Sequence, residues 1–158
     1  MIRRATVADA PAIADIKNAM VRDTLVSFTT EFITPDQIAS EIETKPYFVV
    51  AQQNDTVLGF ALYDEFRGGP GYAHTVEHSL HVLENARGEG IGSSLMDHLE
   101  LTARQANLHI LVAGISSANP RSITFHARRG FVEVARMPEV GRKWDQWLDL
   151  ILMQKTLT

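Results

Sequence analysis

Arg87-Gly88-Glu89-Gly90-Ile91-Gly92-Ser93 stands between a β-rich stretch, His74 to Val82, and an amphipathic one in which Ile91, Leu95, Leu99 and Thr102 recur at helical spacing to about Asn107. Glycines at alternate positions let main-chain amides approach an anion closely. The helix that follows adds free N–H groups and the positive end of its dipole. The turn is therefore built to hold phosphate. A Walker loop would need a lysine after Gly92, and a dinucleotide fingerprint would need a third glycine where Ser93 stands, so neither nucleotide motif is complete. A tight strand-to-helix turn without a ligand is the plainer alternative.

Outward from this turn the chain alternates element signals. A short strand precedes Thr6-Val7-Ala8-Asp9, a capping box that opens a helix carrying Ile13, Ile16 and Met20. Thr34-Pro35-Asp36-Gln37 opens a second helix, with Ile38 and Ile42 on one face and its end near Pro46. Tyr47–Gln52 and Thr56–Tyr63 read as an antiparallel hairpin across Gln53-Asn54-Asp55. Asp64 to Tyr72 holds too much turn chemistry for a regular element and is expected to be an exposed loop. After the glycine turn and its helix come a strand from Leu108 to Ile115, a helix from Pro120 to Arg129 stopped by Gly130, and strands at Phe131–Met137 and Trp147–Gln154. The order is β-α-α-β-β-β-α-β-α-β-β, one mixed α/β domain over residues 1–158 with no internal repeat or linker.

Composition narrows the functions open to such a domain. Hydrophobic residues at 45% and charged residues at 22% fit a globular chain, and 158 residues suit one core. A net charge of −4 supplies no global positive field for nucleic acid or an anionic membrane. With no cysteine there is no disulfide, thiolate nucleophile or Cys-ligated metal site. No apolar run approaches the roughly 18 residues of a membrane span and no secretion signal is visible, so a cytoplasmic location is expected.

The Arg-x-x-Gly-x-Gly pattern of Arg87, Gly90 and Gly92 resembles the acetyl-CoA pyrophosphate loop of GNAT N-acetyltransferases, and the element order agrees with that fold along the whole chain. Thr75-Val76-Glu77-His78-Ser79, Val112-Ala113-Gly114-Ile115, Asn119, Val140-Gly141-Arg142-Lys143-Trp144 and Trp147-Leu148-Asp149 resemble the phosphinothricin and methionine-sulfoximine acetyltransferase branch. The resemblance implies acetyl transfer from acetyl-CoA, a co-substrate, to the α-amino group of a small amino-acid analogue, by a homodimer. Phosphinothricin, methionine sulfoximine and methionine sulfone are the leading acceptors. Another amine, such as a polyamine or a protein N-terminus, is the alternative reaction, and an acyl-CoA-binding sensor without catalysis is the alternative class.

Amine acetylation needs a neutral amine, donors for an oxyanion, and a proton for a leaving thiolate. Glu77 lies among apolar strand residues, where burial would raise its pKa toward that of a useful base, and the resemblance gives it that role. His74, His78 and His81 suggest a metal by spacing, but on a strand His74 and His78 face away from His81, so no metal is expected. A β-bulge, usual in the family here, would break that parity. His126 takes the place where many family members carry a tyrosine acid, and can itself donate a proton near neutral pH.

Asn119 can cap the helix after it, and by resemblance also meets the pantetheine arm. The resemblance further places the main chain of Leu80, His81 and Val82 against the pantetheine. Arg87, Gly88, Glu89, Gly90, Ile91, Gly92 and Ser93 then hold the pyrophosphate, with Arg128 near the phosphates. Arg67, Gly71 and Tyr72 in the loop, with Phe28, are expected to wall the acceptor, an arginine there being suited to a carboxylate or phosphinate. Ala73 stands where relatives often show a second arginine.

Overall fold

A computed structural model describes all residues, 1–158. Its elements are β1 (Ile2–Arg4), α1 (Ala10–Asp23), α2 (Pro35–Thr44), β2 (Tyr47–Gln53), β3 (Thr56–Glu65), β4 (Thr75–Val82), α3 (Ile91–Gln105), β5 (Ile110–Ser116), α4 (Pro120–Arg128), β6 (Val132–Lys143) and β7 (Gln146–Thr156), with single 3-10 turns between some of them. The order read from the sequence is the order found. The Thr6 capping box closes a 3-10 turn, so α1 starts at Ala10 rather than at Thr6. Thr6 N–H donates to Asp9 Oδ2 at 2.8 Å, and Arg3 donates to both Asp9 oxygens at 2.8 Å, tying β1 to the helix entry. Thr34 behaves as expected, its hydroxyl accepting from Gln37 N–H at 3.2 Å.

The seven strands form one sheet in the order β1-β2-β3-β4-β5-β7-β6, all neighbours antiparallel except β4 and β5. Period-two alternation divides its side chains between two layers. One face carries Tyr47, Val49, Ala61, Tyr63, Val76, Leu111 and Ala113 and packs on Leu95, Met96, Leu99 and Ala103 of α3. The other carries Phe48, Val50, Phe60 and Leu62 and packs on Ile13, Ile16, Ile38 and Ile42 of α1 and α2.

The parallel β4–β5 ladder positions the site. It runs from Thr75↔Ile110 to His78↔Ala113 and stops, while β3 continues to pair with β4 as far as Val82 and β7 with β5 as far as Ser116. Beyond His78 the two central strands part, and a gap opens in mid-sheet. The β3–β4 register is unbroken from Gly59↔Val82 to Glu65↔Val76, so the family bulge expected in β4 is not present and the alternation holds. Val76, His78, Leu80 and Val82 face α3, whereas Glu77, Ser79 and His81 face the α1–α2 layer. β6 and β7 are longer than their apolar runs suggest, because the hairpin continues through Arg142↔Trp147 and turns at Trp144-Asp145, both with positive φ.

Candidate active site

The gap between β4 and β5 widens into a cleft of about 1040 Å³. Of the cofactor candidates, Leu80, His81, Val82, Arg87, Gly88, Gly90, Ile91, Gly92, Ser93, Asn119 and Arg128 all line it; Glu89 does not, and is exposed on the turn. Gly88 and Gly90 have φ of 86° and 81°, a region L side chains avoid, and nothing lies within 4 Å of where a Cβ would stand. Gly90 is the N-cap of α3 and no side chain caps that helix, so its first amides, on residues that line the cleft, have no side-chain acceptor. Asn119 Oδ1 accepts from Ser122 N–H at 3.2 Å, capping α4 at the opposite lip. The donor set and the open glycine turn thus fit a phosphorylated, extended ligand such as acetyl-CoA. No group of three or more His, Asp or Glu side chains is arranged to hold a metal.

Glu77 stands on the face away from α3. The residue is exposed, but its Oε2 lies over Gly114, 3.1 Å from where a Cβ would sit, with Leu150 and Leu152 alongside. Loss of water there raises its carboxyl above the usual range. Gly114 is one residue past the last β4–β5 pair, so the carboxylate sits at the rim of the gap.

His126 and His78 meet on the α3 side. His126 Nδ1 is 2.7 Å from the Ser122 carbonyl, which only accepts, so Nδ1 carries the proton. Its Nε2 is 3.0 Å from His78 Nε2, and in the neutral pair His78 donates there. Both residues are 6% exposed, and Phe125 and Phe131 pack around His126. Burial is the main force lowering both pKa values, that of His78 to about 3. His78 Nδ1 is buried without a well-formed hydrogen bond, although the main chain of Val112 favours the protonated ring. His81, on the other face, packs on Phe60 with centroids 5.1 Å apart, and burial with nearby Lys17 and Arg87 lowers its pKa to about 4.

The acceptor candidates are not brought into one wall. Arg67, Gly71 and Tyr72 lie on an exposed loop at the Glu77 end of β4 and line neither the cleft nor the smaller cavity that adjoins it. Phe28 lies at the other side, its ring packed on Gly141, where a Cβ would be 2.5 Å from Cδ2. The segment that carries it is pinned. Lys143, 2% exposed, donates to the carbonyls of Thr24 at 2.6 Å and Ser27 at 3.0 Å, and Ser116 Oγ donates to the Leu25 carbonyl at 2.8 Å. Sequence reasoning passed over Met20, Thr24, Val26, Ser79, Gly114 and Ser116, which all line the cleft. Only Gly114 carried a signal, as a glycine inside an otherwise apolar strand.

Residues 13–131 match the Acetyltransferase (GNAT) family. The chain is 39% identical over 164 residues to the L-methionine sulfoximine/L-methionine sulfone acetyltransferase of Pseudomonas aeruginosa, covering 99% of this chain and 94% of that protein. It is 38% identical over 160 residues to the L-amino acid N-acyltransferase of Escherichia coli K12, covering 99% and 93%. Among solved structures, the phosphinothricin acetyltransferase of Sinorhizobium meliloti in complex with AcCoA superimposes with a TM-score of 0.93 at 28% identity, covering 99% of this chain and 87% of that one.

Proposed function

The chain belongs to the GNAT acetyltransferase family, and from that premise we propose that it moves acetyl from acetyl-CoA to the α-amino group of a small amino-acid analogue, with methionine sulfone, methionine sulfoximine and phosphinothricin as the leading acceptors. The observation that carries this reading is the Glu77 carboxylate lying over Gly114, which, unlike Glu77 itself, lines the same cleft as the glycine turn. A thioester entering from the α3 side and an amine entering from the α1–α2 side would meet there.

In this reading Gly88 to Ser93 hold the pyrophosphate through main-chain amides and the α3 dipole, with Arg87 and Arg128 nearby. The main chain of Leu80, His81 and Val82 pairs with the pantetheine as an added strand, and Asn119 reaches it from α4. Glu77 takes the amine proton, which its raised pKa favours. A main-chain N–H past His78 holds the oxyanion, and the leaving thiolate takes a proton through His126, which lines the cleft and must first take one up from solvent, because the neutral His126–His78 pair has no N–H free to give. Arg67, at the Glu77 end of the strand, receives the acceptor's carboxylate.

The protein acts as a cytoplasmic homodimer. The edge strand β6 supports the dimer, for it leaves Val132, Val134, Met137 and Val140 exposed beside Trp147.

Thiol release from acetyl-CoA, measured against these three acceptors, plain amino acids and spermidine, tests the reading. Saturating turnover on the first three is expected, and Glu77→Gln should keep acetyl-CoA affinity while losing about 100-fold in kcat. Acetyl-CoA binding with no turnover on any amine would replace the enzyme by a sensor.

A further inference from the structure

On the α3 side of the sheet one carboxylate is buried among three cations. Glu100 of α3 is 5% exposed. Its Oε2 accepts from Lys155 Nζ of β7 at 2.7 Å and from Arg104, one turn along its own helix, at 3.4 Å. Its Oε1 is buried with no hydrogen-bond donor and faces Arg129 at the end of α4, whose Nη2 is 3.6 Å away. Arg129 also pairs with the exposed Asp97, while its Nε is buried without a partner.

A buried carboxylate with one unbonded oxygen is weak evidence for stability, since its desolvation offsets much of the attraction. Its place in the fold gives it another task. Arg129 stands three residues after His126. Its N–H and that of Phe131 both donate to the His126 carbonyl at 3.0 Å, and its guanidinium lies 5.9 Å from the centroid of Phe125, one of the rings around the imidazole. We propose that Glu100 is a positioning residue for the acid: it holds Arg129 and offsets the guanidinium charge, so that His126 can take up the proton it passes to the thiolate. The proposal rests on the reading above that this proton travels through His126.

The groups around the imidazole single out Arg129 as the charge to be offset. From β4 His126 meets the neutral His78, and beyond it lies Tyr63 of β3, the cross-strand partner of His78, whose phenol burial keeps protonated. From its own helix it meets Ser122 and then Arg129, whereas Arg128 is exposed and lines the cleft. Phe131, leading into β6, is uncharged. Glu100 and Asp97 of α3 reach this group through Arg129, and Lys155 of β7 reaches it through Glu100. Burial lowers the His126 pKa most and the Arg129 charge lowers it further, while the Ser122 carbonyl works the other way. Asp97 is solvated and its field is screened, so Glu100 is the carboxylate that counts. Without its charge, Arg129 and Lys155 would both oppose a proton on His126.

Long-range proton–nitrogen spectra of the histidine rings, taken through a pH titration, read this without turnover. In Glu100→Gln the His126 midpoint should fall by about half a pH unit or more, and in Arg129→Gln it should rise. Glu100→Asp, which keeps the charge, should recover much of the wild-type midpoint. Thiol release at neutral pH should show kcat down about 3-fold in Glu100→Gln, the loss of protonated ring for half a unit, with the KM for acetyl-CoA within about 2-fold of the wild type. A clamp that served only the fold would lower the melting temperature without moving the two midpoints in opposite senses. Should Glu100→Gln not fold, the upward shift in Arg129→Gln still decides. Unmoved midpoints, or shifts of the same sign, would overturn the proposal. Wild-type kcat in His126→Phe would instead refute the acid reading, and with it the catalytic purpose given to Glu100, even where the midpoints move as stated.

Discussion

Gly114→Ala tests the placement of the base without touching the base itself. The added methyl would lie 3.1 Å from Glu77 Oε2, 3.6 Å from Leu150 Cδ1 and 3.9 Å from Leu152 Cδ2. Only the first contact is too close, and it involves the end of a flexible side chain, so the carboxylate gives way by a few tenths of an ångström. Gly114 does not have positive φ, so alanine fits the backbone, and removing glycine from the unfolded chain offsets part of the crowding. Stability should stay within about 1 kcal/mol, or roughly 2–4 °C in Tm. Catalysis is less tolerant: misplacement by about 1 Å costs on the order of 100-fold, so a few tenths should cost about 3- to 10-fold in kcat. The methyl also excludes water from Oε2, which raises the Glu77 pKa further. Since a base acts when deprotonated, the acid limb of kcat/KM should move to higher pH. Steady-state rates by thiol release from pH 5 to 9, with thermal melts as control, measure both. In Glu77→Gln the alanine should cost nothing more, since the group it displaces no longer accepts a proton. A well-folded Gly114→Ala protein with wild-type kcat and an unmoved limb would remove Glu77 from the chemistry.

Lys143→Met should lower stability by about 2–3 kcal/mol, the cost of two carbonyls left without a donor less the relief of burying no ammonium, and so lower Tm by roughly 5–10 °C; an unchanged melt would show that the segment from Thr24 to Ser27 is held otherwise. Gly141→Ala sets a methyl 2.5 Å from the Phe28 ring and should cost about 1–3 kcal/mol, with Phe28→Leu in the same chain recovering part of it; calorimetric melts of the single and double variants decide. Acid should destabilise the fold. The pKa values of His78 and His81 are lowered to about 3 and 4, so between those values and the ordinary 6.5 the unfolded chain binds more protons, and stability falls as pH drops through that window, by up to about 1.4 kcal/mol per pH unit for each ring. Urea midpoints at pH 7, 6 and 5 check this, and His81→Phe should flatten the slope.

The fold was legible because its elements announce themselves locally. Thr34 with Gln37, Asn119 before Pro120, and Gly130 after Arg128 are end signals that act within one helical turn, and each marks the boundary it was read to mark. Thr6 with Asp9 misled by one turn: the capping box forms, with Arg3 on the same carboxylate, but it closes the single 3-10 turn Val7–Asp9 before α1 begins at Ala10. The length of β6 was not legible either. Its residues from Pro138 to Lys143 have no apolar alternation, and a proline there reads as the end of a strand. An edge strand tolerates both, and these residues stay extended because β7 pairs with them again from Gly141 to Lys143.

The site divides along a physical line. Residues acting through the backbone, such as the glycine turn, sit within a few positions of one another and could be read in sequence order. Residues acting by facing each other across the gap could not. Gly114 reads as a weak point in a strand until Glu77 is found lying over it, and His126 reads as a free acid until His78 is found at its Nε2, 48 positions away in the chain. That second contact changes the chemistry of the first residue. With Nδ1 committed to the Ser122 carbonyl, a neutral His126 has no proton to spare, so any proton given to a thiolate must come through the His78–His126 contact or be taken up by the pair beforehand. The acid is then a property of two rings on two elements, β4 and α4, and replacing His78 by Phe should depress turnover about as much as replacing His126 by Phe, with no further loss in the double variant, whereas independent roles would multiply.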